Sequence, residues 1–425
     1  MSLEAQRLSP QDYPRSPEQP LASVKHTDRN AAELEVRRAR WAPYLTTAQA
    51  TEAPLATRFV PRLLANLSAE ATPTRAWPAT LYPAGYRRQV LAHTAWPDDA
   101  IRFDVDGSTD GGSPARDRIA TLRASASELD AARSVALASL FNVMSLYRST
   151  IEVFGRRSGR GERPSNPHLL YELARAAYQL KPGAEQPIRA FTALATDASV
   201  SSALRLNASS RLIAHFARRQ IDLEQCGEWT RHGLDLAREV ARRETGFDET
   251  LGFSRVHRAA ALYAMRCRDV DELVERMRET AETSARAAQL ARDETDRLAA
   301  AQDERLVLEA TLKAFVGSRG TCAPLPAHAA AARLFELDPV DPYSRLVGGD
   351  ALWMLGRADE AIESYGIAAS MGTFPGALAA HRTSVVLCSL GRAKESEAFF
   401  AAAVELDPAA AATPPASVVG SGASA

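Results

Sequence analysis

Lysine is nearly absent from this chain: of 51 basic residues only Lys25, Lys181, Lys313 and Lys394 are lysine, and the rest are arginine. Together with the very high alanine content, this resembles the codon bias of a high-GC bacterial genome and lowers the weight that any single Arg deserves. Net charge is equally scarce, at -1 over 425 residues, so no global field favours nucleic acid or a membrane surface as partner. The four cysteines, Cys226, Cys267, Cys322 and Cys388, are each at least 41 residues from the next. Without a Cys-x-x-Cys pair there is no zinc knuckle and no dithiol motif, and the expectation is small buried hydrophobes in a reducing cytosol. Long apolar runs are missing too. The longest, Val135 to Tyr147, is too short to cross a bilayer, and the opening MSLEAQRLSPQDYPRSPEQP lacks the apolar core of a secretory signal, which implies a cytoplasmic location and no membrane partner. No Walker loop, dinucleotide fingerprint, Gly-x-Ser-x-Gly elbow or His-Glu-x-x-His phrase occurs, so no cofactor is expected.

What the chain does have is an internal repeat. MLGRADEAIESYGIAAS from Met354 and SLGRAKESEAFFAAAVELDP from Ser389 are near-copies, with Leu355-Gly356 and Leu390-Gly391 lying 35 residues apart. That period belongs to helix-turn-helix units that stack, because one such unit cannot bury its apolar face alone.

The residues of these copies resemble the tetratricopeptide (TPR) family. From Gly349 the first copy runs through Leu352, Gly356, Ala361, Tyr365 and Ala368; the second has Leu387, Gly391, Phe400, Ala403 and Pro408 at matching places, with Ser396 where Ala is usual. AARLFELDP, ending at Pro339, looks like the second helix of a preceding repeat. Small residues let two backbones approach, an aromatic ring fills the space between hairpins, and Leu-Asp-Pro stops the helix. Gly348-Gly349 inside a helix is expected to loosen it. The resemblance covers about a fifth of the chain, roughly residues 327–408, and implies an all-α, right-handed TPR-like solenoid.

Upstream, the proline-punctuated residues 1–59 read as an extended arm carrying a short helix. Residues 60–116 read as a small irregular cap, in which the alternation of Ile101, Phe103 and Val105 with Arg102 and Asp104 suggests a strand paired with the Arg88 to Trp96 stretch. From Asp117 to Phe154 the helical spacing of Leu140, Phe141, Met144, Tyr147 and Ile151 predicts one long helix. Beyond GRRSGRGERPSNP, helices are expected in pairs: Leu169 to Leu180 with Pro187 to Ala195, Val200 to Arg219 with Leu223 to Arg243, Leu251 to Arg268 with Val270 to Asp293, and Asp296 to Val316 with Pro326 to Leu337. These hairpins, over 117–316, lack the TPR phrase and read either as TPR-like units or as a separate bundle ahead of TPR repeats at 317–410. Residues 411–425 read as a disordered tail.

Four places carry candidate chemistry. FDVDGSTDGG from Phe103 sets Asp104, Asp106 and Asp110 in a glycine-rich turn, superficially like a phosphatase nucleophile loop or a calcium loop. A helix-rich region follows where the phosphatase needs a parallel sheet, and the twelfth position of a calcium loop is Ala115, so polar turn residues explain the same letters. The arginines Arg156, Arg157, Arg160 and Arg163, interleaved with glycine, form a candidate anion-binding loop, set against a solvated loop in an Arg-rich chain. His215, His232 and His257 fall in three successive helices, but no two histidines are three or four residues apart and no metal site is expected.

The fourth place is the groove that the resemblance implies. TPR proteins line it from the first helix of each hairpin, which carries over to Tyr343, Leu346, Asp350, Trp353 and Met354, then Leu378, His381, Val385, Cys388 and Ser389. Chaperone-binding TPRs clamp a terminal carboxylate with Lys, Arg and Asn there; this lining has no Lys or Arg and suits an apolar or amphipathic protein or peptide segment. The same residues could instead be covered by the chain's own proline-rich arm, which is long enough to reach them. The apolar FFAAAV stretch from Phe399 offers a surface for self-association through the C-terminal helices.

The expectation is therefore a non-catalytic adaptor or scaffold that binds through its groove. Two other readings stay open: an accessory or regulatory component of a biosynthetic or signalling system acting through the N-terminal 116 residues, and an enzyme using the Asp104 to Asp110 loop, with or without a divalent metal.

Overall fold

The computed structural model describes residues 121–406, apart from 144–146, 156–164, 182–183, 221, 244, 319, 321–325, 339–341 and 371–373. The expected arm, the cap with its strand at 101–105, and the tail all lie outside the described residues. Among the described residues the structure is helical, without strands.

The expected single helix from Asp117 to Phe154 is instead broken. Residues 121–125 are helical, a 3-10 turn follows at Ala126–Glu128, and Leu129 is extended at φ -78 and ψ 138. A new helix, α1 (Ala131–Val143), starts because Asp130 accepts from the Arg133 amide at 2.8 Å, the role of an N-cap. After it, a short helix at Tyr147–Thr150 runs into a π turn at Ile151–Gly155.

The helices that follow are α2 (Pro167–Leu180), α3 (Glu185–Thr196), α4 (Ser202–His215), α5 (Leu223–Ala241), α6 (Phe247–Cys267), α7 (Val270–Leu290) and α8 (Glu294–Gly317). Then come α9 (Ala327–Leu337), α10 (Pro342–Met354), α11 (Ala358–Ser370), α12 (Phe374–Ser389) and α13 (Ala393–Leu406). Helices α2 to α9 match the members of the expected pairs, element for element. Starts are set by local chemistry: Asn166 caps α2 by accepting from the His168 and Leu169 amides, with Pro167 in the first turn, and Asp222 and Asp269 cap α5 and α7. At α6 the Glu249 carboxylate accepts from the Gly246 amide at 3.2 Å.

The chain divides into two compact units, with the boundary between Val307 and Leu308 inside α8. In the first, α2 packs on α3, α3 on α4, α4 on α5, α5 on α6 and α6 on α7, and α4 also touches α6. Its core gathers Tyr171, Phe191, Leu194, Leu204, Leu212, Ile213 and Phe216 around the buried Cys226. In the second, α9 packs on α10, α10 on α11, α11 on α12 and α12 on α13, and α10 also touches α12. Leu312, Phe315, Leu334, Leu352, Tyr365, Leu378 and Val386 fill its core. From α2 to α7 and from α9 to α13 each helix packs on the next, and in both units one pair of alternate helices, α4 with α6 and α10 with α12, also touches.

The two repeat copies turn in the same way. Gly356 and Gly391 sit at φ +76 and +73, the Arg357 amide reaches the Leu352 carbonyl at 2.9 Å, and the Arg392 amide reaches the Leu387 carbonyl at 2.9 Å. Each is a left-handed C-terminal cap of the kind glycine provides without a Cβ penalty. The α6–α7 turn closes likewise, from the Asp269 amide to the Ala264 carbonyl at 3.0 Å, but with Arg268 in the left-handed position at φ 60.

Gly348 and Gly349 do not act as a weak point in α10. A Cβ on Gly348 would collide with the Phe335 ring of α9, and one on Gly349 with the Tyr365 ring of α11. The pair lets α10 lie between two aromatic rings, so its cost in helix propensity is offset by close packing. The cysteines also depart from expectation. Cys226 is buried and Cys388 half-buried, but Cys267, at the last residue of α6, is exposed.

Candidate functional site

The groove residues of α10 and α12 fall into two sets. Leu346, Asp350, Leu378 and His381 are buried, and Leu346 and Leu378 belong to the hydrophobic core. Tyr343, Trp353, Met354, Val385 and Cys388 are half-buried, and the first three pack against that core with part of their surface in solvent. Ser389 is exposed. The helical spacing from Tyr343 to Met354 therefore divides one stripe: its middle holds helices together and its ends remain partly open.

Asp350 is the clearest case. Its carboxylate accepts from the Tyr365 hydroxyl at 2.7 Å and pairs with Arg382 at 2.6 Å, joining α10, α11 and α12. Burial pushes its pKa up, and Arg382, Tyr365 and Lys313 work in the opposite direction. His381 lies with its ring 6.2 Å from that of Phe400, in an edge-on arrangement that ties α12 to α13. Ser396, where the family resemblance would place Ala, is buried and donates to the Ser384 carbonyl at 2.8 Å.

A second constellation lies in the first unit, on α2, α4, α6 and the part of α8 before Leu308. On α4, Asn207, Arg211 and His215 follow at steps of four residues, which puts them on one face. Tyr171 and Arg175 do the same on α2, and Arg255 and Arg258 are three apart on α6. Arg211 Nε donates to the Tyr171 hydroxyl at 3.4 Å, and Arg255 Nη1 donates to Asn207 Oδ1 at 2.7 Å. Asp303 of α8 accepts from Ser254 at 2.6 Å and from Arg258 at 3.1 Å. Arg255 is only 5% exposed, and its Nε has no hydrogen-bond partner. Burial pulls its pKa down to about 10, Asp303 opposes that, and Arg258 and Arg211 are near enough to add to it. It is still a cation at neutral pH.

Beside this cluster, Glu172 is fully engaged. It accepts from Asn142 at 2.6 Å, Ser139 at 3.3 Å and Arg175 at 3.3 Å, which locks α1 to α2. Thr150 completes the network by donating to Asn142 Oδ1 at 2.9 Å.

Sequence reasoning passed over the arginine cluster. Each Arg looked like compositional background, and the partners come from four helices spread over more than a hundred residues. The available signal was the polar spacing itself: Asn207, Arg211 and His215 recur with helical period.

The three helical histidines are not brought together. His215 Nδ1 lies 3.0 Å from the Tyr178 hydroxyl, His232 Nε2 lies 3.4 Å from the Ala195 carbonyl, and His257 Nδ1 lies 2.7 Å from Glu279 and 3.2 Å from Arg276. Among the described residues no three His, Cys, Asp or Glu side chains are grouped to hold a metal ion. The Asp104 to Asp110 loop and the arginines Arg156, Arg157, Arg160 and Arg163 lie outside the described residues. No helix among those described is long and apolar enough to cross a membrane. Compared with known proteins, the chain matches no family model and no curated sequence.

Proposed function

We propose that the second unit is a TPR-like helical-repeat stack and that the protein is a non-catalytic adaptor, holding an apolar or amphipathic segment of a protein partner against α10 and α12. The observation that carries this reading is the division of the stripe on α10. Asp350, Leu346 and the core fix the helix rigidly, while Tyr343, Trp353 and Met354 keep part of their surface open on that fixed frame. Half-buried aromatic and thioether side chains on a rigid scaffold bind apolar surface at little cost in conformational entropy. Val385 and Cys388 extend the surface onto α12 without adding charge. The repeated Leu-Gly-Arg turns, with superimposable hydrogen bonding at Gly356 and Gly391, support a common hairpin geometry for the two copies.

The test is affinity capture with the full chain and with a Tyr343→Ser/Trp353→Ser variant shown to be folded by circular dichroism. On this reading a discrete protein is retained by the wild type and lost by the variant. Equal retention by both would place the binding surface elsewhere and remove this function.

A further inference from the structure

Charges joined by the contacts between α2, α4, α6 and α8 do not balance. Among the described residues that these contacts join, Arg175, Arg211, Arg255 and Arg258 are cations, and the carboxylates of Glu172 and Asp303 oppose them. Both carboxylates are already committed: Glu172 to Asn142, Ser139 and Arg175, and Asp303 to Ser254 and Arg258. What remains for Arg255 is the neutral amide oxygen of Asn207, and for Arg211 the neutral hydroxyl of Tyr171. A buried cation without a counter-charge is costly, and folded proteins remove that cost by pairing it. Here Asp303 and Glu172 act on Arg255 and Arg211 through their fields without hydrogen-bonding to them, and the buried Nε of Arg255 is left without an acceptor.

We infer that Arg255, with Arg211 and Arg258, forms a binding site for a phosphate-class dianion. Guanidinium groups match tetrahedral oxyanions because their N–H groups form a planar fork, and several of them can share one dianion. Arg211 and Arg258 are half-buried, and Arg255 beside them is buried. Asn207 orients Arg255 without neutralising it, and Tyr171 does the same for Arg211. The ligand is free phosphate or the terminal phosphate group of a small organic monoester. This site is in the first unit and does not depend on the groove proposed for α10 and α12.

Thermal melting of the full chain tests it, with inorganic phosphate, phenyl phosphate or sodium chloride added at matched ionic strength. Phosphate at about ten times its Kd raises the Tm by about 2–4 °C over the chloride control. An equal response to phenyl phosphate identifies a monoester site, and a response to inorganic phosphate alone identifies a site closed around the free ion. Arg255→Met abolishes the shift. Since that variant removes a buried group, Asn207→Asp provides an independent check: it supplies the missing carboxylate from within, so its Tm rises without ligand and no longer responds to phosphate. A wild-type Tm that moves no further with phosphate than with chloride overturns the proposal, as does an Asn207→Asp protein that keeps the full phosphate response.

Discussion

The ion pair of Asp350 and Arg382 shows how a single residue acquires its role. A carboxylate taken out of water is expensive, and it is tolerated here because Tyr365 and Arg382 both donate to it. Replacing one partner alone strands the other. Asp350→Leu is expected to lower stability by about 3 kcal/mol, and Arg382→Met by a similar amount. The double replacement is expected to recover most of the loss, because two apolar groups need no counter-charge. Denaturant unfolding of the four proteins checks this, and additive losses would show that the pair does not act as a unit. His257 makes a pH-dependent contribution. Burial, reinforced by the nearby Arg276, pulls its pKa from 6.5 to about 4, against the pull of Glu275. The unfolded chain therefore takes up a proton in a window where the folded protein does not. Stability falls as pH drops from about 6.5 towards 4, by about 2 kcal/mol, and His257→Gln flattens that slope. Equal slopes for wild type and variant in acid titration would assign the loss to other groups.

At the scale of the helix and its turn, most of the architecture was legible from sequence. The members of the expected pairs from α2 to α9 appear as helices, and Leu-Gly pairs marked the turns after α10 and α12. What was not legible is instructive. The run from Asp117 to Phe154 reads as one helix because its apolar spacing continues, yet Asp130 offers its side chain to the Arg133 amide and restarts the helix there. Gly348-Gly349 reads as a weak point because propensity counts only the helix itself, whereas the deciding contacts come from Phe335 and Tyr365 on two other helices. The arginine cluster failed to appear for the same reason, since its meaning lies in which helices become neighbours. The turn after α6 gives a prediction at this scale. Arg268 occupies the left-handed position that Gly356 and Gly391 fill in the repeats, at a cost to a side chain with a Cβ. Arg268→Gly is expected to raise stability by roughly 1 kcal/mol. A lower midpoint in urea, with an unchanged slope, would contradict it.

Across the molecule, a charge of -1 conceals an uneven distribution. In the first unit Arg255 and Arg211 meet a neutral amide and a neutral hydroxyl, while in the second the partly open face of α10 and α12 carries aromatic, thioether and aliphatic groups. One arrangement suits an anion and the other an apolar segment, and the same hairpin packing positions both. The candidate groove was legible residue by residue only in part. The family resemblance picks out Tyr343, Leu346, Asp350, Trp353 and Met354, but the structure buries Leu346 and Asp350 and leaves Tyr343, Trp353 and Met354 half-buried.

The most direct test of the groove is a calorimetric titration of the captured partner into the wild-type protein and into Trp353→Ala, with both shown to melt cooperatively. The account predicts a loss of about 2 kcal/mol in binding free energy, roughly a thirtyfold rise in Kd, with the fold retained. An unchanged Kd in the folded variant would contradict it and take α10 out of the recognition surface.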